Sequence, residues 1–234
     1  MGDLAEFQSQ LGYEFKDPTL LERAFVHRSY LNEHPRLGLE HNERLEFLGD
    51  AVLELVVTDH LYRHYPNPEG DLTNWRSALV KTESLSTVAE KLNIDPYLKL
   101  SRGEARGNER SRALISANCI EAIIGAIYLD QGYDAAAKFI NQHIVSELPA
   151  ILKDGSWIDP KSRFQELAQE REGHTPHYQV LEEMGPDHDK IFVVGAFLGT
   201  RLCGKGQGSS KQAAQQVAAA DALEKYLKDR PTTS

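Results

Sequence analysis

The sequence predicts an all-α N-terminal domain followed by a small α+β domain of order α-β-β-β-α. Three observations predict it. Apolar residues recur at helical spacing through most of residues 4–150. The pattern changes at the short LKDGSWIDP stretch near 152–160, rich in turn formers. Beyond it, three runs with strand character lie between two helical ones. The boundaries read as 4–152 for the first domain, 153–158 for a linker and 159–228 for the second.

Leu20, Ala24 and Phe25 begin an apolar face, and a segment from 43 to 64 follows. Its start, ERLEFLGDAVLELV, leaves no broad polar face, a pattern expected of a buried helix. Pro66-Asn67-Pro68-Glu69-Gly70 ends it. Thr73 suits a cap for the next helix, and Trp75, Leu79, Val80, Leu85, Val88, Ala89 and Leu92 keep helical spacing. SRGEARGNERSR, with two glycines and four arginines, reads as a mobile loop. ALISANCIEAIIGAIYLD reads as a second buried helix. In the second domain residues 161–172 suit an amphipathic helix. HYQVLEEM, KIFVVGAFL and TRLCGKG suit strands, with Gly185-Pro186-Asp187-His188 as the first turn. SSKQAAQQVAAADALEKYLK suits the last helix.

Composition bounds the function classes. The apolar fraction of 41% is ordinary for a soluble globular chain, and no stretch is expected to span a membrane. The N-terminus lacks a basic region followed by an apolar run, and Glu6 stands where a myristoylation motif wants Ser or Thr. Cys119 and Cys203 match no zinc or redox spacing, so two small buried thiols in a reducing cytoplasm are expected. The net charge is −9, but its distribution is uneven: 16 Lys and Arg oppose 24 Asp and Glu in the first 157 residues, against 10 and 11 thereafter. Net charge governs long-range attraction and does not decide what a local patch binds.

The acids of the two apolar helices carry the chemistry. Glu43, Glu46 and Asp50 lie three and four residues apart, so they stack on one side of the first helix. Asn118 and Glu121 share a face of the second. Lone buried carboxylates are costly to keep ionised. If the helices pack, Glu46, Asp50, Asn118 and Glu121 converge as an all-oxygen set suited to Mg²⁺ or Mn²⁺, with no His or Cys to favour zinc. Neither helix carries the Glu-x-x-His pair of a di-iron site. Such a cluster beside an anionic substrate suggests metal-assisted phosphodiester hydrolysis. The stretch GTRLCGKG approaches a nucleotide-binding phosphate loop but has Gly206 where Ser or Thr is needed, so no nucleotide cofactor is expected.

The run Asn42-Glu43-Arg44-Leu45-Glu46-Phe47-Leu48-Gly49-Asp50-Ala51-Val52-Leu53 resembles the signature of bacterial ribonuclease III. The resemblance extends through His27-Arg28-Ser29-Tyr30, Glu69-Gly70-Asp71-Leu72, Glu83-Ser84-Leu85 and Glu121-Ala122-Ile123-Ile124-Gly125, and covers nearly the whole chain. Residues 159–228 are similar to a double-stranded RNA-binding domain. The resemblance implies a homodimeric, Mg²⁺-dependent endonuclease on double-stranded RNA, with Mn²⁺ as a substitute. It implies 5′-phosphate and 3′-hydroxyl ends with short 3′ overhangs, and processing of ribosomal and messenger RNA precursors.

Carried over position by position, Asp50 and Glu121 are the catalytic residues and Glu46, Asn118 and Glu121 the metal ligands, with Glu43 near the cleft. Asn118 departs from the Asp of many members, which leaves an alternative: a duplex-RNA-binding regulator with weakened or absent cleavage. On the RNA-binding side the resemblance implies Gln165 and Glu166 in one minor groove and His188 in a second. Ser209, Ser210 and Lys211 would meet phosphates at a helix start. Gln212 stands where a second Lys is common.

Overall fold

Twelve α-helices and three strands make up the described parts of the chain, seen in a computed structural model that describes residues 3–155, 157, 159–186 and 190–228. The helices α1 (Leu4–Leu11), α2 (Pro18–Ala24), α3 (Arg28–Glu33), α4 (Glu43–His64), α5 (Glu69–Val80) and α6 (Thr82–Lys91) come first. They are followed by α7 (Arg102–Ala105), α8 (Glu109–Gln131), α9 (Tyr133–His143), α10 (Leu148–Asp154) and α11 (Pro160–Glu172). Strands β1 (His177–Met184), β2 (Ile191–Leu198) and β3 (Arg201–Gly208) and helix α12 (Lys211–Lys228) complete the order. The chain divides into two compact units, Met1–Trp157 and Ile158–Ser234, with separate cores. The all-α then α-β-β-β-α reading holds.

The first unit is built around α4 and α8, whose facing sides supply Leu45, Leu53, Val57, Ile120, Ile124 and Ile127 to the core. The start of α4 is pinned to the end of α2: buried Asn42 donates from Nδ2 to the Ala24 carbonyl at 3.0 Å, and its N–H donates to the Val26 carbonyl at 2.9 Å. Three local expectations are corrected. Thr73 lies inside α5, which starts after Pro68, because the proline's fixed φ suits the residue just before a first turn. The run from Trp75 to Leu92 is two helices, broken where Lys81 turns extended (ψ 153). The arginine-rich stretch is ordered as α7 and the start of α8, because Ser101 and Asn108 accept from the N–H groups of Glu104 and Ser111. Helix α10 runs to Asp154 at the start of the stretch expected as a linker, 153–158, whose Ser156 and Ile158 lie outside the described residues.

Two burial expectations also change. The long apolar helix α4 is not buried all round: Phe47 is 82%, Leu55 58% and Tyr62 80% exposed. And α8 is, by length and composition, apolar enough to cross a membrane, contrary to the sequence expectation. Its packing against α4, α6 and α9 makes it the central helix of a protein core instead.

The second unit is an antiparallel sheet of order β1-β2-β3 with α11 and α12 packed on it. Val194 pairs with both Val180 and Gly206, which sets the register. Alternate glycines of β3 face α12: a Cβ on Gly206 would stand 2.1 Å from the Ala218 nitrogen, and one on Gly204 2.4 Å from the Ala222 nitrogen. The Gly-rich stretch that mimicked a phosphate loop is therefore a strand thinned to let a helix backbone approach. The alanine stripe Ala214, Ala218 and Ala222 answers it from α12. Cys119 is buried, but Cys203 on β3 is half-buried rather than fully enclosed; neither is in a disulfide.

Candidate active site and nucleic-acid interface

The acids of α4 and α8 meet because two glycines let the helix backbones touch. A Cβ on Gly49 would lie 1.8 Å from the Glu121 carbonyl oxygen, and one on Gly125 would lie 2.2 Å from that of Leu45. No side chain fits at either place. The residue beside Gly49 is Asp50, and Glu46 lies one turn earlier, so the same contact that joins the helices brings these acids to Asn118 and Glu121.

Their electrostatics show mutual proximity. Glu121 is half-buried, and its carboxyl is pushed up to about 7, first by burial and then by the charges of Asp50 and Glu46. Glu46 is also raised, by burial, then by Glu43; the neighbouring Asn118 side chain acts in the opposite direction, and Asp50 adds to the rise. Asp50 itself is exposed. Among the described residues no Lys or Arg pairs with Glu46, Asp50 or Glu121. Glu43 differs: its carboxylate is 3.2 Å from Arg28 and 3.7 Å from the His41 ring, which places it at the edge of the group, already ion-paired.

Three carboxylates and a carboxamide without a counter-cation suit a hard, oxygen-seeking ion. Among the described residues no three His, Cys, Asp or Glu side chains enclose an ion by themselves.

On the second unit Gln165 and Glu166 are exposed on α11, with Glu166 3.0 Å from Arg163. Ser209 and Ser210 are exposed ahead of α12, and Ser210 Oγ accepts from the Ala213 N–H at 3.1 Å. Lys211 opens α12, but its ammonium is not free: it lies 3.2 Å from Glu183 on β1 and 5.4 Å over the Phe192 ring. His188 and its turn neighbours Asp187 and Asp189 lie outside the described residues.

Comparison with known proteins matches this architecture. Residues 17–148 fit the Ribonuclease-III-like family profile, and residues 160–226 fit that of the double-stranded RNA binding motif. The chain belongs to the ribonuclease III family. It is 47% identical over 221 residues to Ribonuclease 3 of Protochlamydia amoebophila, covering 92% of this chain and 89% of the relative. Identity to Ribonuclease 3 of Carboxydothermus hydrogenoformans is 45% over 225 residues, covering 95% of both. The solved nuclease domain of ribonuclease III from Campylobacter jejuni superposes with a TM-score of 0.57 at 36% identity, over 63% of this chain and 99% of that one. This ribonuclease III is an endoribonuclease with a double-stranded RNA-binding domain.

Three features of this ribonuclease III escaped the sequence reading. Gly49 and Gly125 were visible only as letters in a motif; glycines facing each other from two apolar helices were the available signal for close approach. Asn42, the buried anchor of α4, was signalled by a polar residue just before a helix start. The Arg28 partner of Glu43 carried no local signal, since it lies 15 residues away across a bend.

Proposed function

We propose that this ribonuclease III hydrolyses phosphodiester bonds of double-stranded RNA with a divalent cation, Mg²⁺ or in its place Mn²⁺, held by Glu46, Asn118 and Glu121. Asp50 and Glu121 are the catalytic pair. The observation that carries the reading is the close contact of α4 and α8 at Gly49 and Gly125, which gathers Glu46, Asp50 and Glu121 with no cationic side chain beside them and raises the Glu121 carboxyl. A bound divalent ion supplies a water of lowered pKa and positive charge against the phosphate. Asn118 lies beside Glu46 and favours its charged form, Glu121 would hold the ion as the ionised carboxylate, and exposed Asp50 faces the solvent from which water and substrate arrive. Expected products carry 5′-phosphates and 3′-hydroxyls with short 3′ overhangs, and ribosomal and messenger precursors are the expected substrates. The non-cleaving alternative is not favoured, since the curated relatives matched along more than nine-tenths of the chain are ribonucleases.

A homodimer belongs to the same proposal, supported by the exposed apolar stripe of Phe47, Leu55 and Tyr62 on α4. These positions share one face, spaced eight and seven residues apart. Antiparallel two-fold pairing about Leu55 sets Phe47 of one copy opposite residue 63 of the other. There Thr58, Leu61, Tyr62, Tyr65 and Leu72 line a cavity of about 650 Å³. The solved Campylobacter jejuni domain is described as flexible in a region involved in dimer formation. A two-fold assembly provides one site for each antiparallel strand.

The test is cleavage of end-labelled duplex RNA by the full chain with Mg²⁺ and with EDTA, alongside Glu121→Gln. Short products only with Mg²⁺, and none from the variant while it still shifts the duplex, are expected. Cleavage in EDTA, or undiminished cleavage by the variant, overturns the assignment.

A further inference from the structure

Helix α2 ends against both the start of α4 and the middle of α8. A helix leaves its last carbonyls without intrahelical partners, and here distant segments take the carbonyls at the end of α2 and just past it. That of Phe25 accepts from the Lys99 N–H at 2.9 Å, and that of Val26 from the Asn42 N–H at 2.9 Å. The carbonyl of Ala24, a residue with no exposed surface, accepts twice: from Asn42 Nδ2 at 3.0 Å and from the Cys119 thiol at 3.5 Å. A carbonyl oxygen has two lone pairs, so each of the two helices that carry the active-site acids holds one partner on the same atom.

Asn42 makes this bond in place of another. Asparagine is among the best helix caps, and this one stands immediately ahead of α4, yet its side chain makes no cap bond there. Almost wholly buried, it is turned instead to the Ala24 carbonyl. Its own carbonyl accepts from the Glu46 N–H at 2.9 Å. One backbone hydrogen bond therefore separates the grip on Ala24 from a residue of the acidic set.

The grip supplies a second point of attachment between α4 and α8, besides the glycine contact. On α4, Asn42 and Gly49 bracket Glu46; on α8, Cys119 and Gly125 bracket Glu121, with Asn118 next to Cys119. Two helices held at one point can pivot there, and a second point stops the pivot. Asn42 lies about 10 Å along the axis from Gly49, and Glu46 about 4.5 Å. Freeing the Asn42 end by about 1 Å thus moves the Glu46 turn by about 0.4 Å.

We propose that Asn42 is a positioning residue for cation binding: with Cys119 it clamps the Ala24 carbonyl, and so fixes the spacing of Glu46 on α4 from Asn118 and Glu121 on α8. The inference rests on the cation reading of that set. Mg²⁺ demands near-ideal octahedral geometry whereas Ca²⁺ accepts a looser one, so an error in spacing falls mainly on Mg²⁺. Losing the outer support of metal ligands costs about 10–100-fold in affinity, and a displacement this small belongs at the lower end.

The test titrates Mg²⁺ and, separately, Ca²⁺ into the full chain without RNA, and reads each dissociation constant from the rise in unfolding temperature. Asn42→Ser keeps an equally good cap residue but removes the amide donor. It should weaken Mg²⁺ binding about tenfold and Ca²⁺ binding by no more than about twofold. Cleavage by this variant should need about tenfold more Mg²⁺ for half its maximal rate, with KM for the duplex unchanged. Cys119→Ala deletes the weaker donor and should weaken Mg²⁺ binding about threefold, with the same selectivity; it decides the matter if Asn42→Ser does not fold. Ile140→Val, which removes one methylene from the buried face of α9, is the control for general loosening and should leave both constants unchanged. Unchanged Mg²⁺ binding in Asn42→Ser, equal losses of Mg²⁺ and Ca²⁺, or the same loss in Ile140→Val would make Asn42 a structural anchor only and overturn the proposal. Glu46→Gln with Glu121→Gln separates that failure from failure of the cation reading: Mg²⁺ binding that survives in this pair places the ion elsewhere and overturns both.

Discussion

Replacing Gly49 by alanine should separate the two helices that carry the active-site acids. The added Cβ would stand 1.8 Å from the Glu121 carbonyl oxygen, and such contacts do not fall below 3.0 Å, so the backbones must part by about 1.2 Å there. The obstacle is main chain on both sides, so no rotamer change relieves it. Overpacking of this kind costs about 1–3 kcal/mol, and a clash with backbone belongs at the upper end. Alanine returns about 1 kcal/mol through helix propensity. A net loss of about 2 kcal/mol lowers the melting temperature by roughly 4–8 °C for a protein of this size. Activity should suffer more, because a displacement near 1 Å can cost on the order of 100-fold in rate. Thermal unfolding by circular dichroism and single-turnover cleavage of duplex RNA measure the two effects. Gly70→Ala is the control: Gly70 lies in α5 with no atom within 4 Å of its virtual Cβ, and alanine there should be neutral or slightly stabilising. A Gly49→Ala protein that melts and cleaves like the parent refutes the reasoning that backbone contact sets the site.

Glu121→Gln should abolish cleavage while raising stability in EDTA at pH 8. The rise of its carboxyl from 4.5 to about 7 corresponds to roughly 3 kcal/mol, and solvent screening of a half-exposed group reduces this to about 1–2 kcal/mol. Because the folded value is raised, the penalty is absent below pH 4.5 and grows as pH rises through 7, so the gain in urea midpoint should vanish near pH 4.5. His27 titrates in the opposite sense: burial, the largest cause, lowers it below 6.5, and its Nδ1 accepts from the Ser29 N–H at the start of α3. The parent should therefore lose stability relative to His27→Asn as pH falls from 7.5 to 5.5, measured by the difference in urea midpoints; a constant difference would count against the cap. Phe47→Asp should convert a dimer to monomers in sedimentation at micromolar concentration with the monomer fold intact, and an unchanged sedimentation coefficient would remove α4 from the interface.

Much of the second unit was readable residue by residue. Strand-forming runs bounded by turn residues and an alanine-rich helix define α-β-β-β-α order locally, and the ranges of β1 and β2 match the sequence reading to within one residue. The reading failed where a short polar segment was judged by composition alone. Ser101 and Asn108 turned an expected loop into capped helices, a consequence of single side chain to backbone bonds that composition averages away.

What the sequence by itself determined are relations within one element: Glu46 and Asp50 on one side of α4, and Asn118 and Glu121 on one side of α8. Helical and strand periods are fixed by the backbone, so these follow from spacing alone. Only the tertiary structure decided that Gly49 meets the Glu121 backbone, that Glu43 is drawn off to Arg28, and that Phe47, Leu55 and Tyr62 stay outside the core. It also decided that Asn42 and Cys119 share the Ala24 carbonyl. Those outcomes depend on which faces of distant helices come together. Burial, like-charge repulsion and close contact arise between elements, and a pattern within one element carries no record of its neighbour.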